Sequence, residues 1–183
     1  RRLDLESLSR GVPLWHSDLQ CSGPKPAADQ LQNAGLWRWL PMHGCGVFAL
    51  EPPAGEGDAG RILWEFDEAA PDCSTPLYYD GRLYVFDGLR RKTVTCLDPK
   101  TGKAFWHGRV GGRDPWWSSP TAAAGKLYMI SEAGEVVVLQ AGGDEFKILF
   151  QTQIAEPDIQ SSIAISGGRL FIRTAQNLYC IGK

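Results

Sequence analysis

Much that would announce a chemistry is missing from these 183 residues. No apolar run of about 18 residues occurs, so no helix is written to cross a membrane. No charged-then-apolar leader opens the chain and no Met starts it, so it reads as a mature or excised piece. The five cysteines, at 21, 45, 73, 96 and 180, include no CxxC and no Cys-Cys pair, which argues against a zinc knuckle or a dithiol centre. An odd number leaves at least one thiol unpaired, and whether Cys21 pairs with Cys73 stays open. Histidine occurs three times (His16, His43, His107), widely separated, without a converging set of metal ligands. There is no GxSxG nucleophile elbow, which leaves hydrolase chemistry without support. Charge of one sign is lacking too: 19 Lys and Arg against 21 Asp and Glu give −2, nothing to grip a nucleic acid.

Turn formers are abundant instead, with 21 Gly and 12 Pro. The stretch from Cys73 to Trp106 reads as four short strands. Asp80-Gly81 is a two-residue hairpin signal between alternating apolar runs. Asp98 to Gly102 is a second turn, in which the Asp carboxylate accepts nearby backbone N–H groups and Gly102 takes a left-handed conformation. The same text returns. Ser118-Ser119-Pro120 with Gly125-Lys126-Leu127-Tyr128 repeats it 44 residues on, and Ser161-Ser162 with Gly168-Arg169-Leu170-Phe171 a further 43 residues on. A period in the low forties with four strands per unit points to β-propeller blades. Helical repeats of that length are excluded by the apolar spacing of 2 and by Gly and Pro inside each unit.

The segment Leu97-Asp98-Pro99-Lys100-Thr101-Gly102-Lys103-Ala104-Phe105-Trp106 resembles the tryptophan-docking motif of the PQQ-like, or quinoprotein alcohol dehydrogenase-like, propeller repeats. Ser-Ser/Thr-Pro followed by Gly-Lys/Arg-Leu-Tyr is similar to the front half of those blades. The resemblance is close over 60–183 and faint over 12–60. It implies an all-β propeller of four-stranded antiparallel blades in which a Trp of one blade docks on the turn of its neighbour. Asp98, Thr101, Gly102, Trp106 and Trp64 would be the docking residues.

On this reading residues 1–183 form one propeller segment, with blades at about 20–67, 73–110, 117–152 and 160–181. Residues 12–18 would be an orphan fourth strand, with Trp15 in the role of Trp106. Cys96 and Cys180 fall at matching points on third strands and read as small core residues. In blade three Phe150 stands about where the Trp belongs, and the turn lacks the Asp and Thr. The last blade has three strands, so the orphan strand could close a four-blade ring and hide its edges. A partial ring, the C-terminal part of a larger one, is the favoured alternative, and its exposed edges leave room for self-association.

Connections between blades share a face with the loops between second and third strands, and function on propellers gathers there. The candidates on that face are Arg90, Arg91, Arg113, Asp114, Trp116 and Trp117, with Asp72 and Asp158 beside them. Paired indoles next to Arg113 could stack on a planar ligand or anchor a partner; packing between blades is the plainer reading. Trp37, Trp39, Trp64 and Trp106 read as packing.

The quinoprotein dehydrogenases hold their cofactor with a vicinal disulfide and a calcium bound by carboxylates and amides. Here no Cys-Cys exists, and the only asparagines, Asn33 and Asn177, sit in no calcium cluster. No cofactor and no catalytic residue is carried over, and fold alone does not confer activity. The expectation is a non-enzymatic scaffold or protein-binding module, similar to the outer-membrane-assembly lipoprotein type and hence periplasmic or extracellular. Its partners would be a protein or the remaining blades. The alternatives are a fragment of a quinoprotein dehydrogenase and a carbohydrate-binding or hydrolytic propeller.

Overall fold

A computed structural model of the chain describes residues 14–17, 46–51, 61–69, 71 and 73–182. All regular structure within them is strand. The first sheet has the order β1-β2-β3, with β1 Leu14–Ser17, β2 Val47–Glu51 and β3 Arg61–Phe66. The second runs β4 (Leu77–Tyr79), β5 (Arg82–Asp87), β6 (Thr93–Leu97) and β7 (Ala104–Arg109). The third repeats it with β8 (Thr121–Ala123), β9 (Lys126–Ile130), β10 (Glu135–Gln140) and β11 (Ile148–Gln153). The fourth has three strands, β12 (Ala164–Ser166), β13 (Arg169–Arg173) and β14 (Leu178–Ile181). All pairings are antiparallel, as hairpin connections require.

The hairpin between first and second strands turns at Gly81, Gly125 and Gly168, with φ of 74°, 71° and 74°. The residue before each also lies at positive φ, Asp80 at 49°, Ala124 at 50° and Gly167 at 56°, as a two-residue primed turn demands. Sheets two to four span Leu77–Arg109, Thr121–Gln153 and Ala164–Ile181.

Three apolar layers lie between the four sheets. Val47, Ala49 and Trp64 face Leu83, Val85 and Leu97 between the first two. Tyr84, Phe86, Val94, Cys96 and Trp106 face Leu127, Met129, Val137 and Leu139 between the next two. Ile130, Val136, Ile159, Ile163 and Ile172 fill the third layer. Each middle sheet thus alternates apolar residues onto both faces, which a sheet needs when it is covered on both sides. No ring closes: among the described residues no layer joins the fourth sheet to the first.

The orphan-strand expectation is overturned. β1 pairs with β2, Trp15 opposite Ala49, in the first sheet, and not with β14. The edge of β2 away from β3 offers unpaired N–H and C=O groups, and the short strand satisfies them. Of the expected first blade at about 20–67, residues 20–45 and 52–60 lie outside the described residues.

A one-residue irregularity recurs on the third strand at Ala49/Leu50, Cys96/Leu97 and Val138/Leu139. Directly opposite Ala49, Cys96 and Val138 stand Trp64, Trp106 and Phe150. These three aromatics are equivalent by register, yet they are 9%, 6% and 56% exposed. What the following sheet places beside each decides the difference.

Candidate binding face

Under Trp64 lies the turn of the second sheet. Asp98 organises that turn: Oδ1 accepts from Lys100 N–H at 2.8 Å, and Oδ2 accepts from the Thr101 hydroxyl at 2.9 Å. Those donors, the Lys100 amide foremost, hold the Asp98 carboxyl below its ordinary value. Gly102 N–H donates to Asp98 O, and its φ of 70° brings the turn round. The Trp64 indole rests on Gly102, where a Cβ would come within 2.5 Å of the ring. Trp64 Nε1 donates to Pro99 O at 3.0 Å.

Under Trp106 the arrangement is different. The third sheet supplies Phe146, whose ring centroid is 5.8 Å from that of Trp106. Phe146 also lies on Gly108, where an added Cβ would meet its ring at 2.0 Å. Trp106 Nε1 is buried with no acceptor among the described residues. The polar stitches pass through tyrosines, since Tyr84 OH accepts from Gly142 N–H at 2.6 Å and Tyr79 OH from Gly125 N–H at 3.0 Å. Burial pushes the Tyr84 phenol up to about 12 and raises the Cys96 thiol beside it, although Arg82 pulls the thiol the other way.

The loop end is braced by a device that sequence reading missed. Asp87, Ser131 and Thr174 occupy the same place at the end of each second strand, and all are buried. Asp87 Oδ1 accepts from the N–H groups of Arg90 and Arg91. Ser131 Oγ accepts from Glu135 N–H, and Thr174 Oγ1 from Asn177 N–H. Each cap closes the turn into the third strand. Its signal was available: a polar residue ending an apolar strand at spacings of 44 and 43. A serine ladder was equally hidden. Ser74, Ser118 and Ser161 donate to the carbonyls of Phe86, Ile130 and Arg173. Thr75 N–H donates to Ser119 Oγ at 2.9 Å and Ser119 N–H to Ser162 Oγ at 2.8 Å, linking successive sheets.

The predicted face residues separate into two groups. Arg90, Arg91, Arg113, Asp114 and Asp158 are exposed, and Arg91 donates to Glu68 O. Trp117 is 38% exposed and its Nε1 donates to Glu132 Oε2 at 3.1 Å. Trp116 is fully buried, edge-on to Phe86 at 5.7 Å, so the two indoles form no paired platform. The reason is positional: Trp116 fills the site that Ile159 fills one repeat later. Trp116 N–H donates to Gly88 O in the second sheet and Ile159 N–H to Glu132 O in the third. Asp72 lies outside the described residues. His107 is an exposed strand residue. Among the described residues no three His, Cys, Asp or Glu side chains converge on a point where a metal could bind.

In the connection between the third and fourth sheets, Glu156 accepts from the Thr174 hydroxyl, the Asn177 amide and the Tyr179 hydroxyl. These donors, Thr174 first, lower its carboxyl, while the carboxylate raises the Tyr179 phenol. Cys180 departs from expectation. Cys96 is buried, but Cys180 is exposed, because among the described residues no sheet covers the face on which it lies.

A family model described as outer membrane protein assembly factor BamB matches residues 54–183. Among solved structures, BamB from Moraxella catarrhalis superposes with a TM-score of 0.55 at 16% identity, covering 78% of this chain and 44% of its own. The computationally designed Ika4 protein superposes at 0.56 with 12% identity over 76% of this chain and 83% of its own. Saccharomyces cerevisiae Sqt1 gives 0.57 and 18% identity over 74% and 43%. These likenesses concern the fold, and the chain spans less than half the length of the BamB and Sqt1 chains. No curated protein sequence matches.

Proposed function

Since the chain belongs to the PQQ-like propeller family described as outer membrane protein assembly factor BamB, we propose that it is a non-enzymatic section of a larger propeller, serving as a periplasmic scaffold or protein-binding module. The observation that carries this reading is a residue comparison across three sheets. Val94 and Cys96, Val136 and Val138, and Leu178 and Cys180 are equivalent pairs, because Cys96, Val138 and Cys180 each lie opposite the Tyr84, Tyr128, Phe171 position. The first two pairs are buried under the next sheet, whereas Leu178 is 69% exposed and Cys180 is exposed. An apolar face of that kind is made to be covered. Further blades of the same family, with Trp64-type contacts as clamps between them, are the cover it fits.

For binding, this reading relies on the loop end, where Asp87, Ser131 and Thr174 hold the turns rigid beneath exposed arginines and Trp117. Preorganised turns lose little freedom when a partner docks. Melting the protein with and without pyrroloquinoline quinone and Ca²⁺ tests the non-enzymatic part, because a ligand selective for the native state raises the melting point. The expected result is no change. A rise of several degrees would replace this reading with that of a quinoprotein dehydrogenase fragment.

A further inference from the structure

Charge is unevenly placed along the chain. Residues 88–113 hold seven of the 19 Lys and Arg, and only Asp98 of the 21 Asp and Glu. Five of those cations gather at the loop end of the second sheet: Arg90, Arg91 and Lys92 in its turn, Arg109 ending β7, and Arg113 just beyond. Hydrogen bonds tie these segments together. Val110 N–H donates to Lys92 O at 2.9 Å, and Lys92 Nζ donates to Gly112 O at 3.2 Å. The four arginines are exposed and Lys92 is buried.

Beneath them sit donors with spare capacity. Trp116 is 0% exposed and, among the described residues, its Nε1 has no acceptor. An unmet buried donor is costly, and so is an invitation to an acceptor. The backbone beside it is Gly112, whose added Cβ would stand 3.6 Å from Nε1. Gly111, at φ of 92°, has open space where a side chain would stand, whereas at Gly112, at φ of 76°, the Glu135 carboxylate lies against the place a Cβ would take. The Lys92 ammonium has three N–H donors and, among the described residues, gives one of them to Gly112 O.

Acids of the chain itself border this loop end, and Arg91 donates to Glu68 O. Asp87 faces its own turn, Glu132 accepts from Trp117, and Glu135 lies against Gly112 and accepts from Gln151. Asp114 points to solvent.

We propose that this loop end is a docking surface for a short acidic segment of a protein partner. One of its carboxylates takes the Trp116 Nε1–H and the Lys92 ammonium, and the arginines engage its neighbours. Charge-assisted bonds of this kind are the stronger ones. A long polyanion fits less well, because the adjoining loop end of the third sheet carries Glu132, Glu135, Glu156 and Asp158, which would repel it. The inference rests on the protein-binding reading above and adds the chemistry of the partner.

The test is fluorescence anisotropy of a labelled octaglutamate peptide titrated with the intact chain at physiological salt. Saturable 1:1 binding is expected. Arg90→Glu/Arg91→Glu/Arg113→Glu should weaken it about a hundredfold, and the two reversals Lys100→Glu/Lys103→Glu, at the opposite end, by no more than about twofold. Trp116→Phe keeps an aromatic ring but not the donor and should weaken binding about fivefold. If that variant unfolds, Lys92→Met makes the same test, and Glu135→Gln should tighten binding. Failure of the peptide to bind overturns the inference. So does indifference to both Trp116→Phe and Lys92→Met, which leaves only diffuse attraction, or tighter binding of heparin or of anionic vesicles than of the peptide. Absence of peptide binding without a quinone-induced melting shift would sink this inference alone. A quinone-induced shift would sink the non-enzymatic reading and leave the peptide result standing.

Discussion

The first and second sheets meet differently from the second and third, and the two junctions begin from the same register position. At the first junction an indole of the earlier sheet lies on a glycine in the turn of the later one, Trp64 on Gly102, with its N–H given to Pro99 O. At the second the polarity is reversed. An aromatic from the later sheet, Phe146, lies on a glycine in the outer strand of the earlier one, Gly108, and the Trp106 N–H has no acceptor. Both junctions bury their indole, but only the first satisfies it. A repeat therefore conserves the place of an aromatic more readily than the way in which it is held.

Breaking the first junction should have the largest effect. Trp64→Ala is expected to cost about 3–5 kcal/mol in denaturant melts, the usual loss on emptying a large buried site. Gly102→Ala should approach that cost, because its Cβ would drive the ring aside and its φ of 70° is unfavourable for a side chain. With both changes the loss should fall clearly short of the sum, since the clash needs the ring. Gly125→Ala, at φ 71° with nothing within 4 Å, isolates the backbone term at about 1–2 kcal/mol.

At the second junction Trp106→Ala should also cost about 3–5 kcal/mol, since burial is shared by the two sites. Gly108→Ala should cost less, about 1–3 kcal/mol, because half-buried Phe146 can move.

The pH dependence separates the junctions without emptying either. Asp98 has a lowered pKa in the fold, so its contribution is present above the ordinary value of 3.8 and is lost as pH falls through the lower folded value. Tyr84 is raised from 10.0 to about 12, so the unfolded phenol ionises first, and stability is lost as pH climbs between those values. Asp98→Asn should flatten the acid arm of a stability–pH curve, and Tyr84→Phe the alkaline arm. A crossed pattern would mean that the two turns have been assigned to the wrong junctions.

The strand plan was legible because each turn has one steric solution. Gly81, Gly125 and Gly168 mark the hairpins, and the period-2 alternation between them leaves no helical option. The Asp98–Gly102 turn was legible for the same reason: Asp98, Thr101 and Gly102 are local and bond to one another. What lay across the chain was harder to read. That Trp106 would meet Phe146 depends on a turn with no Asp and Thr, whose path sequence does not dictate. The burial of Trp116 depends on a neighbouring sheet, as does the exposure of Cys180, and neither is written in the residues beside them. The pairing of β1 was misread because an orphan strand satisfies any open edge, and the edge of β2 took it.

The account turns on the indole N–H of the first junction having an acceptor that the second lacks. Guanidinium melts of Trp64→Phe and Trp106→Phe, measured side by side, address that directly, because both changes keep most of the ring and delete the donor. Trp64→Phe should lose about 1 kcal/mol more than Trp106→Phe, the worth of one hydrogen bond with its stranded carbonyl. Equal losses, or a larger loss at Trp106, would contradict it.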